Sequence, residues 1–255
     1  LYSSKRWSNN ELIEYVDYSI NSYSDKKVLL IGAGALGNFV GLNLALMGVG
    51  KVTIMDDDKI KDHNLNRQIL FYGRVGGYKA EVLAERLKEI TPGIEIEYFI
   101  KKFNEKSINT NIINLKDYDL IFSCVHDFTV RGLIDKYAVQ SKVPLINGQT
   151  WAFGGEMQVF WPGVSKSINE QINLDFLIQQ EAEKKKKENA EEAGCIDDPN
   201  PSPSIITPNL IIGSAMVGEA KVIFKEHKKN SLKGRLFYRY PRTFGLKKPI
   251  YENEF

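Results

Sequence analysis

The chain has 255 residues, enough to bury a full core as one large domain or as one domain with an appendage. Its 43% hydrophobic and 26% charged content is ordinary for a globular protein, and a formal net charge of +2 is too small to make nucleic acid the default partner. Two cysteines, Cys124 and Cys195, can build neither a disulfide framework nor a paired Cys-x-x-Cys zinc site, so a reducing, cytoplasmic setting is expected.

Residues 1–26 are expected to form an N-terminal helical arm, and the opening on Leu1 rather than methionine suggests missing upstream sequence. Val28-Leu-Leu-Ile31 then reads as a buried strand. It leads into Gly32-Ala33-Gly34-Ala35-Leu36-Gly37, a G-x-G-x-x-G turn, and a helix running to about Gly48. Val52-Thr-Ile-Met55 is a second strand, ending at Asp56, 24 residues after Gly32. In this pattern the first glycine allows the tight turn, the second lets backbone approach phosphate, and the third packs helix on strand. The helix N-terminus offers unpaired N–H groups to an anion, and Asp56 is placed to accept from ribose hydroxyls. Val28 to Gly50 carries no charge and is long enough to span a bilayer, but its six glycines and strand-like start favour strand–turn–helix.

Asn64-Leu-Asn-Arg67-Gln68 follows, and Gly76-Gly77-Tyr78-Lys79 opens the next helix. Two further cations on a rim that already has a glycine loop imply more negative charge than a dinucleotide carries, such as a triphosphate with a departing pyrophosphate. Ala80 to Ile90 has helical apolar spacing and stops before Pro92. Ile94 to Tyr98 alternates with period two as a strand, and Asp119 to Cys124 is a third buried strand, with Asp127 just beyond it. Thr129 to Gln140 reads as helix and Val143 to Ile146 as strand. Successive βα units imply an α/β fold: a doubly wound, mainly parallel, Rossmann-like sheet with right-handed crossovers. Gly32 to Gly37, Asp56 and Asp127 each follow a strand of that sheet, so they converge on one crevice.

Beyond Trp151, Gly155 to Phe160 looks antiparallel, and then regularity fails. Residues 161–206 are expected as an irregular crossover loop, with Glu181 to Glu192 as a solvated helical face and an acidic, proline-rich stretch around Cys195. Leu210 to Phe224 resumes a helical pattern rich in small residues. Leu232–Tyr238 and Phe244–Ile250 are expected to close the sheet as antiparallel strands, so that 207–255 completes the domain begun by the nucleotide-binding part, 27–160. Cys124, placed mid-strand, is expected in core packing. His63 and His126 have no nucleophile partner at triad spacing.

These motifs, with Ser123-Cys-Val-His-Asp127, Arg131 and Gly213 to Lys221, resemble the ubiquitin-activating-enzyme superfamily of the ThiF/MoeB adenylyltransferase type over roughly residues 27 to 225. The resemblance implies ATP- and Mg²⁺-dependent adenylation of a carboxylate, usually the C-terminal Gly-Gly of a ubiquitin-like or sulfur-carrier protein. It assigns phosphate contacts to Arg67 and Lys79, positioning to Asn64 and Gln68, ribose to Asp56 and Mg²⁺ to Asp127. Backbone around Gly32, Gly34, Ala35 and Gly37 forms the cradle, and Asp58 matches an acidic position. Ala35 stands where the family often has glycine. The resemblance also implies a homodimer in which Arg6 reaches the partner's site, and it makes Cys195 either a conjugating thiol or an incidental loop cysteine. Arg131 could salt-bridge Asp127 or touch ligand. No structural zinc is expected. The same chemistry on tRNA or a short peptide, and an NAD-dependent oxidoreductase, are the alternatives. The last leaves Arg67, Lys79 and Asp127 without a role.

Overall fold

The apolar run after Lys26 forms β1 (Lys27–Ile31), whose four residues after Lys27 are buried on both faces, as a central parallel strand requires. The glycine turn follows, then α1 (Ala35–Met47), which stops at Gly48 in the left-handed conformation (φ 82°). The chain continues through β2 (Lys51–Met55), α2 (Lys79–Ile90), β3 (Glu95–Phe99), the short α3 (Glu105–Asn109), β4 (Leu120–Ser123), α4 (Phe128–Ser141), β5 (Leu145–Trp151) and β6 (Gly154–Phe160). Then come α5 (Ile168–Ile172), α6 (Leu174–Glu191), α7 (Ile206–Phe224), β7 (Arg235–Arg239) and β8 (Thr243–Lys247). This computed structural model describes residues 23–109, 112–191, 205–239 and 243–247. Arg6, Cys195 and nearly all of the expected N-terminal arm lie outside the described residues.

The strands form one eight-stranded sheet in the order β3-β2-β1-β4-β5-β6-β7-β8. The first five are parallel, with Val28 beside Val52 on one flank and beside Leu120 on the other. From β6 onward every pairing is antiparallel. The order reverses at β1, between β2 and β4, which opens a crevice beyond the carboxyl ends of these strands. Alternate residues of β1 serve two cores. Val28 and Leu30 pack with α1, α2 and α7, while Leu29 and Ile31 pack with α4 and α5.

The C-terminal strands extend the sheet as the sequence implies. The segment from 161 to 206 is more regular than expected: α6 includes the helical face read from Glu181 onward, and α5 and the start of α6 add helix where a loop was expected. Ser167 and Glu170 form a reciprocal capping box at the start of α5. The buried Asp135 carboxylate of α4 accepts from the N–H groups of Ile168 (2.8 Å) and Asn169 (3.0 Å), tying α5 to α4. Among the described residues no helix is long and apolar enough to cross a membrane.

Candidate functional site

A cavity of about 500 Å³ opens at the switch point. Its floor is the glycine turn. Gly32 has φ 97°, and a Cβ there would come within 2.6 Å of the Cys124 carbonyl, so only glycine serves. At Gly37 a Cβ would meet the Gly32 carbonyl at 2.1 Å, which lets α1 start directly against β1. Gly34 differs: it lines the cavity, and a Cβ there meets nothing nearer than Gln68 Nε2 at 3.9 Å. That open space above the first turn of α1, which has no side-chain cap and no acidic residue, suits a phosphate.

Asp56, just past β2, is the hub of the floor. One carboxylate oxygen accepts from Ala33 N (2.7 Å) and the other from Asp58 N (2.8 Å). Burial raises its pKa above the ordinary value, while Lys79 and the two backbone donors pull the other way. Asp56, Asp57 and Asp58 bring carboxylate oxygens within 4.8 Å of one another. Lys79, the buried first residue of α2, donates Nζ to Asp58 Oδ2 at 2.6 Å and its backbone N–H to the Asp58 carbonyl at 2.9 Å. The ammonium is therefore held at the cavity wall by an exposed, exchangeable carboxylate.

Arg67 and Gln68 reach the cavity from the loop between β2 and α2. The Arg67 guanidinium donates to the His63 carbonyl (2.9 Å) and to Asn66 Oδ1 (2.7 Å), and burial lowers its pKa. Gln68 is 4% exposed and its Oε1 has no protein partner. Asn64, expected to position phosphate, is instead buried beneath this loop and outside the cavity lining. Its Oδ1 accepts from Lys61 N (3.0 Å), and its carbonyl takes the N–H groups of Arg67 and Gln68. It shapes the loop that carries them.

On the far wall Asp127 lines the cavity and caps α4, accepting from Val130 N at 3.1 Å. Arg131, 2% exposed, does not salt-bridge Asp127. It donates Nε to the Val125 carbonyl (2.8 Å) and Nη1 to Gln149 Oε1, and Gln149 Nε2 donates in turn to Glu156 Oε1 (2.6 Å). Burial pushes the Arg131 pKa down to about 10. Cys124 lies just past β4, which ends at Ser123, rather than mid-strand as expected. The partly exposed residue packs against the core, as expected, and also lines the cavity, and burial pushes its thiol pKa up. Sequence patterns did not reveal the Arg131–Gln149–Glu156 chain, nor Thr150, whose hydroxyl bonds Asn209 Oδ1 (2.9 Å) on the cavity lining. Lys101 and Lys102, also on the lining, carry only the weak signal of following a strand.

Sheet order, glycine turn and acidic hub define a protein of the Rossmann-like nucleotide-binding class. The ThiF family profile matches residues 11–248, and the chain belongs to that family. It is 30% identical over 157 residues to the molybdopterin-synthase adenylyltransferase of Haemophilus influenzae, spanning 61% of this chain and 63% of that protein. It is also 31% identical over 139 residues to the sulfur carrier protein ThiS adenylyltransferase of Escherichia coli, spanning 54% of this chain and 54% of that protein. The matches span from about one third to just under two thirds of the length of the curated relatives. Among solved structures the fold is similar to E. coli MccB crystallised with AMPCPP and MccA. The TM-score is 0.74 at 22% identity, covering 90% of this chain and 66% of that one.

Proposed function

We propose that this chain uses ATP to adenylate a carboxylate, the C-terminal glycine of a ubiquitin-like or sulfur-carrier protein. The observation that carries the reading is the union, in one cavity, of an uncapped helix N-terminus at Gly34, the Asp56 hub and the cations of Arg67 and Lys79. A dinucleotide's phosphates need the first two features; the cations suit a triphosphate. The adenylyltransferase names of the sequence relatives support the same chemistry.

In this reading Asp56 accepts from the ribose, and the N–H groups of the first turn of α1 receive the α-phosphate. A carboxylate oxygen of the acceptor bonds to the α-phosphorus as the bond to the bridging oxygen breaks, and pyrophosphate leaves with that electron pair. Arg67 and Lys79 stabilise the charge that grows on it. Lys79 is free to do so once phosphate oxygens displace Asp58. Mg²⁺ fits the donor set: Asp127 keeps one carboxylate oxygen beyond its capping bond, and the Asp56–Asp58 carboxylates stand across the cavity. When bound it neutralises phosphate charge.

The wider assignment belongs to the same proposal: residues 27–160 grip the nucleotide, 161–206 cross over with Cys195 as a transfer thiol, and 207–255 complete the domain. Arg6 acts across a homodimer. The test is ATP–pyrophosphate exchange measured with candidate carriers ending in Gly-Gly. Carrier-dependent exchange is expected, and Arg67→Ala and Lys79→Ala should each lower it by about 10²-fold. Unchanged exchange in both variants removes the phosphate roles. Tight NAD binding without exchange removes the reading altogether.

A further inference from the structure

Asn38 lies inside α1 with no exposed surface, an unfavourable place for a residue of low helix propensity whose polar atoms all need partners. Its side chain is satisfied at both ends. Nδ2 donates to the carbonyls of Ala33 (2.9 Å) and Gly34 (3.0 Å), and Oδ1 accepts from Leu70 N (3.0 Å). Leu70 is held from its other side as well, since Arg86 of α2 donates Nε to its carbonyl (3.3 Å) and Nη2 to the Tyr72 carbonyl (3.2 Å). Two segments far apart in sequence, the glycine turn and the loop carrying Arg67 and Gln68, therefore meet through one buried amide. On the cavity side the same two segments face each other where Gly34 opposes Gln68.

We infer that Asn38 is a positioning residue for the phosphate grip. It fixes the Arg67 loop against the glycine turn, so that the guanidinium and the N-terminus of α1 act on the same phosphates. The inference rests on the nucleotide reading above and adds to it a residue outside the cavity lining. An apolar residue at 38 would leave the Ala33 and Gly34 carbonyls with one donor fewer and orphan the Leu70 N–H. The loop would then be free to drift from the turn, while the Asp56 hub, bonded separately to Ala33 N, stays in place.

The test compares wild type, Asn38→Ala, Arg67→Ala and the double variant in equilibrium titrations with α,β-methylene-ATP and with adenosine. Asn38→Ala should weaken the triphosphate analogue about 10-fold while leaving adenosine within about twofold, and the double variant should bind the analogue no more than about twofold worse than Arg67→Ala alone. Additive losses, or equal losses for both ligands, overturn the inference. Hydrogen exchange on ligand-free protein supplies a nucleotide-independent arm. Segments 33–37 and 64–72 should lose protection together in Asn38→Ala, with β1 and β2 unchanged, and unaltered protection at 64–72 also overturns it. If Asn38→Ala does not fold, Arg86→Met, which frees Leu70 from the other side, must show the same selective loss of the triphosphate or the inference falls. Wild type that binds neither ligand refutes the nucleotide reading instead, and the exchange arm still decides the clamp.

Discussion

Both oxygens of the Asp56 carboxylate already accept backbone N–H groups, yet burial still lifts its pKa above the ordinary 3.8. Only the ionised form keeps all its lone pairs as acceptors, so nucleoside affinity should be full at neutral pH and fall as pH drops through this raised value. The loss should begin at a higher pH than an unperturbed carboxylate would give. For stability the sign is opposite. The folded state binds the proton more tightly than the unfolded one, so the cost of the buried charge is present above the folded pKa and is relieved as pH falls through it. Asp56→Asn should lower adenosine affinity by about 10-fold and flatten the acid limb, on the scale of a charge-assisted hydrogen bond. An acid limb that survives in the variant assigns the titration elsewhere. Asp56, Arg67, Gln68 and Lys79 were legible in the sequence because each sits at a fixed offset from a glycine or a strand end. Asn38 and Gln149 were not, because their partners are backbone and cross-strand groups that only the folded chain brings near. Asn64, expected to position phosphate, is buried beneath the loop with its Oδ1 on Lys61 N, a backbone contact that residue type alone does not distinguish from a ligand contact.

Within the strand–turn–helix element, two glycines of one motif separate folding from function. Gly37 has no room for a methyl, because the Gly32 carbonyl would stand 2.1 Å from it. Gly37→Ala should therefore cost about 3 kcal/mol or more, as backbone overpacking does, and show as a lowered Tm with or without nucleotide. Gly34 has φ −68° and open space, so Gly34→Ala should cost about 1 kcal/mol, the ordinary penalty for alanine at a helix N-cap. The added methyl nevertheless occupies the phosphate cradle, and triphosphate binding should be lost from a folded protein. Full binding by Gly34→Ala would show that phosphate does not approach this turn. Elements with a continuous apolar run (β1, β2, β4), a helical apolar spacing (α2) or a long apolar stretch of small residues (α7) could be read to within a few residues. Of the α5–α6 pair only the stretch from Glu181 onward could be read as helical. The signals of α5 and the start of α6 are the Ser167–Glu170 box and a short run of mixed apolar and polar residues, in which hydrophobic periodicity has too few turns to register.

Across the whole molecule, one sheet carries a core on each face, and the cavity touches both. Leu36 and Asn209 reach it from the side of α1 and α7, and Val130 from the side of α4. A ligand that fills the cavity thus bridges elements from both cores, and its binding energy should appear in global unfolding rather than in one loop. At a free concentration of 100 times Kd the linkage amounts to about 2.7 kcal/mol. Domains of roughly 150–250 residues shift by about 2–4 °C per kcal/mol, so saturating α,β-methylene-ATP should raise Tm by about 5–11 °C in a single transition. NAD at the same concentration should leave Tm unchanged, since it offers Arg67 and Lys79 no terminal phosphate. A shift seen with NAD and not with the triphosphate would return the glycine turn and Asp56 to a dinucleotide, and the two cations would need another explanation. A triphosphate shift that splits the transition would show that the two faces of the sheet unfold separately and that the cavity belongs to only one of them.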